Sequence, residues 1–85
     1  MEAIISFKSV SHAIRAEGAL LEAGLPVTVM PMPSDVREGC GLCLRLPSDR
    51  LDEALRRLES IRAERAALFI REENGKMTRM EEENT

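Results

Sequence analysis

No tryptophan and no tyrosine occur in this 85-residue chain, and Phe7 and Phe69 are its only aromatic side chains. Any core must therefore be aliphatic, and there is no platform of rings on which bases could stack. Acidic residues outnumber basic ones, for a formal net charge of -3, so the electrostatic footprint of a nucleic-acid binder is missing as well. Nucleic acid is excluded as an expected partner. No apolar run approaches the roughly 20 residues that span a bilayer, and Met1–Ile5 carries no basic segment ahead of an apolar one, so the expectation is a cytoplasmic protein without membrane association. Histidine occurs once, at His12, and cysteine twice, at Cys40 and Cys43. So thin a set of ligands predicts no resident metal or cofactor and leaves any chemistry to the two thiols or to a partner.

What the chain does have is a 44% hydrophobic, 32% charged composition, enough for one small domain. A chain this short buries only about 60–65% of the surface its unfolded form exposes, so a dimer interface would add useful stability. The period-two run over residues 3–8 predicts a first strand. Ser9 or Ser11 then caps a helix through Ala23, with Val10, Ala13, Ile14, Leu20 and Leu21 at helical spacing and Gly24 as its stop. The β-branched run 27–30 predicts a second strand, and regular pairing is expected to end at Pro31 and Pro33, which have no N–H to give. Leu42, Leu44 and Leu46 alternate with Cys43 and Arg45, so a third strand turns its leucines to the core and Cys43 away from it. Ser48 or Asp49 caps a second helix whose stripe is Leu51, Ala54, Leu55, Leu58 and Ile61, and 67–71 predicts a fourth strand.

The order β-α-β-β-α-β predicts an α+β fold, a ferredoxin-like two-layer sandwich with a four-stranded antiparallel sheet and both helices on one face. Residues 1–71 form the single domain of this reading, and the acid-rich stretch 72–85 a charged, disordered tail. The second sheet face, carrying Ile4, Ser6, Thr28, Met30, Cys43, Arg45 and Phe69, is expected to lie open and to offer a homodimer surface.

The chemistry-bearing stretch is the loop between the second and third strands. Ser34 is placed to cap one helical turn that Gly39 ends, and Cys40 sits between Gly39 and Gly41, a bracket that leaves its sulfur unshielded and lets the backbone approach a ligand closely. Arg37 and Arg45 are near in sequence and favour a thiolate, while Asp35 and Glu38 oppose them. Cys43, inside a strand, is a compact hydrophobe on the plain reading and a resolving thiol or second metal ligand on the functional one. Cys-x-x-C redox motifs open a helix, whereas a strand follows here, so the dithiol signal is weak. His12, in the first turn of the first helix, reads as a capping or exposed residue.

Taken together, Phe7, Ser9, Ala13, Ala16 and Glu17, then Ala23-Gly24-Leu25-Pro26-Val27, then Pro31-x-Pro33, then Cys40-Gly41-Leu42 resemble in order and spacing a family of small selenium/sulfur carrier-like domains. The resemblance covers residues 3–71. It implies a carrier rather than a stand-alone enzyme, with Cys40 holding sulfur or selenium as a persulfide or selenopersulfide between a donor and an acceptor protein; Gly39, Gly41, Arg37 and Arg45 are the loop residues that the reading of the residues themselves sets in support of it. The chain departs from the family pattern at Cys43, where a small apolar residue is expected. A dimeric binding module without chemistry and a Cys40/Cys43 dithiol or metal protein remain the alternatives.

Overall fold

A computed structural model describes residues 1–33, 36 and 39–80. The elements are β1 (Glu2–Phe7), α1 (Val10–Glu22), β2 (Thr28–Pro31), β3 (Leu42–Pro47), α2 (Leu51–Ser60), β4 (Arg65–Arg71) and β5 (Met77–Arg79). They form an α+β fold with one antiparallel sheet in the order β2-β3-β1-β4-β5. The sheet thus has five strands, not four. The extra strand lies inside the stretch assigned by composition to a tail: a turn at 72–76 folds Met77–Arg79 back onto β4, and the Met80 N–H donates to the Leu68 carbonyl at 2.8 Å.

β1 is the centre of the sheet, and its side chains from Ala3 to Phe7 are buried on both faces. Ala3, Ile5 and Phe7 join Leu44, Leu46 and Leu68 beneath the helices, which contribute Ala13, Ala16 and Leu20 from α1 and Leu51, Ala54 and Leu58 from α2. Burying each of the larger of these is worth roughly 1.5–3 kcal/mol relative to exposure. Ser9 caps α1, its hydroxyl accepting from the His12 N–H at 3.3 Å. At the other end Leu25 N–H donates to Leu20 and Gly24 N–H to Leu21, both at 2.9 Å, which satisfies two terminal carbonyls. α2 ends in the same way, through Ala63 to Leu58 and Arg62 to Glu59, both at 3.1 Å, but with Arg62 rather than glycine at positive φ (56°). Arg15 on α1 donates to the Ile61 carbonyl at the end of α2, a cation where a helix accumulates negative charge. The start of α2 differs from expectation: Ser48–Arg50 make a 3-10 turn, and neither Ser48 nor Asp49 caps the α-helix, whose preceding residue is Arg50.

The regular pairing of β2 with β3 ends at Pro31, with one further hydrogen bond from the Met32 N–H to the Gly41 carbonyl at 2.9 Å. In an antiparallel ladder alternate residues face the partner strand, so Met32, Met30 and Thr28 point toward β3, and Pro31, whose missing N–H faces outward, costs the ladder nothing. One further expectation is corrected: the second sheet face is not open. Ile4 and Cys43 are 0% exposed there, and Phe69 and Ala67 are buried with them under Met32, with Met30, Val36 and Met77 packed against the group. The loop after β2 carries apolar side chains that read as linker in the sequence and act here as a lid over the middle of the sheet.

Candidate functional site

Cys40 lies immediately before β3, in a turn tied to the end of β1. Its N–H donates to the Phe7 carbonyl at 2.9 Å, so the turn sits beside the junction where β1 passes into α1. Both flanking glycines have positive φ, 79° at Gly39 and 89° at Gly41. Their surroundings differ. A Cβ on Gly39 would stand 2.2 Å from the Phe7 oxygen and 3.1 Å from Ala66 Cβ, whereas one on Gly41 would meet nothing. Gly39 is therefore demanded by close approach and by backbone conformation together, Gly41 by conformation alone. The Cys40 side chain is half-buried, packs against the helix-side core, and brings its sulfur within 3.9 Å of the Leu42 carbonyl.

Cys43, three residues on, occupies a different environment. It pairs with Ser6 on β1 and Met30 on β2, is fully buried on the face away from the helices, and lies with its sulfur 3.4 Å from the Met30 carbonyl. Burial pushes its thiol up to about 11, against a smaller opposing pull from Arg71. Both cysteines are free thiols. They pack into clusters on opposite sides of the sheet, and among the described residues no three His, Cys, Asp or Glu side chains converge as metal ligands.

Arg45 projects from β3 toward the far end of β1, where its Nε lies 3.4 Å from a Glu2 carboxylate oxygen. Glu2 also accepts from Arg71 on the neighbouring strand, at 3.1 Å from its Nε. The Arg71 hydrogen bond, with Arg45 adding to it, holds the Glu2 carboxyl below the usual carboxylate range against the opposing cost of burial. Arg45 is thus engaged at the end of β1 opposite to the Phe7 carbonyl that holds Cys40. Arg37, together with Ser34, Asp35 and Glu38, lies outside the described residues. His12 accepts at Nδ1 from the Glu64 N–H at 3.1 Å and so fastens α1 to the start of β4. Nothing in the sequence pointed to Phe7 and Ala66 as the partners that shape the Cys40 turn, because one acts through its backbone oxygen and the other through a plain methyl, and both are far from Cys40 along the chain.

A cleft of about 740 Å³ opens elsewhere, between Glu2, Pro33, Arg71, Lys76 and Met77, and Cys40 does not line it. The thiol in its glycine turn, rather than this cleft, is where the chain offers a nucleophile. No helix among the described residues is long and apolar enough to cross a membrane.

The family model described as "Putative Se/S carrier protein-like" matches residues 2–70. No curated protein and no solved structure matches the chain.

Proposed function

The chain belongs to that Se/S carrier protein-like family, and from this premise we propose that it carries a sulfur or selenium atom on Cys40 and relays it from a donor protein to an acceptor protein. In the sulfur case the Cys40 thiolate attacks the outer sulfur of a donor persulfide. The new S–S bond makes a Cys40 persulfide, the donor's S–S bond breaks, and the donor leaves as its thiolate. The acceptor's thiolate repeats the exchange on Cys40, so no net oxidant or reductant is consumed. The selenium case differs only in the atom transferred. The cytoplasm, with its reducing thiol pool, suits a carrier of this kind.

The observation that carries the reading is the contrast within the Cys-Gly-Leu-Cys run: Cys40 is half-buried in a turn of two positive-φ glycines, while Cys43 is sealed in the opposite layer. That separation speaks against the dithiol reading, which needs both sulfurs at one place. The order β2-β3-β1-β4, with each helix linking two strands across an intervening one, supports a ferredoxin-like core in residues 1–71 to which β5 is an addition.

The test is intact-mass analysis after incubation with a cysteine desulfurase and cysteine. Wild-type protein and Cys43→Ala gain one sulfur atom, releasable by dithiothreitol, and Cys40→Ser gains none. Absence of the gain in wild type with both sulfur and selenium donors overturns the proposal.

A further inference from the structure

We propose that Asn74 is a modification site: in the exposed turn between β4 and β5 its side-chain amide is lost to attack by the Gly75 backbone nitrogen, and the isoaspartate that results releases β5 from the sheet. This goes beyond the carrier reading and involves neither cysteine. Asn74 and Asn84 are the only side-chain amides in the chain. Asn74 precedes a glycine, which leaves the attacking nitrogen unhindered, whereas Asn84 precedes the β-branched Thr85.

The turn places the reacting groups. The Glu72 N–H donates to the Lys76 carbonyl and the Gly75 N–H to the Glu72 carbonyl, both at 2.9 Å, and Gly75 has a φ of 90°. This is a three-residue hairpin loop, a tight turn followed by a glycine in the left-handed region. Asn74 closes it from the side chain, its Oδ1 accepting from the Lys76 N–H, two residues on, at 2.9 Å. The ring which that bond closes contains both the Asn74 Cγ and the Gly75 nitrogen, so the electrophile is folded back over the nucleophile. The same N–H is aimed at the oxygen on which negative charge grows as Cγ is attacked. Both residues are exposed to water, and the space where a Gly75 Cβ would stand is empty.

In the reaction the Gly75 nitrogen bonds to Asn74 Cγ, the Cγ–Nδ2 bond breaks, and Nδ2 leaves as ammonia with the proton that Gly75 gives up. Water then opens the cyclic imide at either carbonyl. One opening gives aspartate; the other gives isoaspartate, in which the main chain runs through the side-chain carbon and the loop is longer by one atom. β5 has little with which to absorb that change. It has three residues, is the outermost strand, and takes its register, Met77 opposite Arg71, from this loop. Its release makes β4 the edge strand and withdraws Met77 from the cluster around Cys43. The Gly75 hydrogen bond to Glu72 opposes the attack, but it belongs to a surface loop at the sheet edge, where opening is local.

The test ages the full-length protein in mildly alkaline buffer beside the free peptide Glu-Glu-Asn-Gly-Lys, with peptide mass mapping and an isoaspartate assay. Asn74 converts at a rate within about 10-fold of the peptide's, ahead of Asn84. In the isoaspartate form, separated by chromatography, the Met80 amide that donates to Leu68 exchanges at least about 10-fold faster than in fresh protein. Asn74→Asp supplies the charge without the extra atom and keeps that amide protected. Slower conversion than this overturns the proposal, as does an isoaspartate form with unchanged Met80 exchange or loss of Met80 protection in Asn74→Asp. None of these measurements reads Cys40, so failure here and failure of the carrier reading are separate results.

Discussion

On one side of β3 its leucines join a layer of helix and strand side chains laid down by long amphipathic elements; on the other, Cys43 joins a small cluster closed by single residues of a loop, Met32 and Val36, and of the last strand, Met77. Cys40 and Cys43 belong one to each side. The first thiol is held by its backbone, through Gly39 and the Phe7 carbonyl, and its side chain is only half covered. The second is held by its side chain, packed among apolar groups that disfavour its ionised form. The difference teaches that a short run of sequence can give two identical functional groups opposite fates, because crossing from turn to strand changes what does the holding.

That contrast can be broken most sharply at Gly39. Gly39→Ala places a methyl against the Phe7 oxygen in a backbone conformation that side chains resist, and it should cost at least about 3 kcal/mol in denaturant unfolding and displace the Cys40 turn. Gly41→Ala, with equal backbone conflict but open space, should cost only about 1 kcal/mol. Equal costs at the two glycines would show that the Phe7 contact is unimportant. In native protein a soluble alkylating reagent should modify Cys40 about 100-fold faster than Cys43, which reacts only through opening of the second layer; equal rates by mass mapping would erase the distinction between the layers. Cys43→Ser, which buries a hydroxyl in place of a thiol, should destabilise by about 2 kcal/mol, and Cys40→Ser by under about 1 kcal/mol.

The smallest effect belongs to the rim of the second layer. Glu2 has a folded-state pKa below its unfolded value, so its pairing with Arg71 and Arg45 contributes above the unfolded value, near 4.3, and is lost as pH falls through the folded one. Because this carboxylate is 38% exposed, solvent screening keeps the contribution to about 0.5 kcal/mol. Melting curves of Glu2→Gln should match wild type more closely at pH 3 than at pH 7, a sign that reverses if Glu2 is instead a burden on the fold.

The helix-side layer was legible from periodicity. The alternating leucines of β3, the odd residues of β1 and the stripe of α2 lie where spacing puts them, because each repeats over several turns or strand steps, whereas of the five positions expected on α1 only Ala13 and Leu20 are buried and Val10, Ile14 and Leu21 are exposed. The second layer was not. Alternation told that Cys43 turns from the leucines, but Met32 and Val36 sit between prolines and polar residues with no period to announce that they fold back over the sheet. β5 escaped for a similar reason: three residues, Met-Thr-Arg, in an acidic setting have no signal apart from the strand they pair with. The glycine bracket around Cys40 was readable, while the partner that makes Gly39 indispensable was a carbonyl far away in the chain. Arg45 was near Cys40 in sequence only; strand direction carries it to Glu2.

The hydrogen bond from Cys40 to Phe7 joins two points separated by more than a third of the chain. Closing that span requires α1 and β2 to be in place, so the turn is a late, non-local contact in the assembly of the domain rather than a local motif that forms by itself. A nascent or damaged chain therefore holds an ordinary cysteine at this position, and the arrangement around the thiol becomes a readout of whether the whole first half of the molecule has folded.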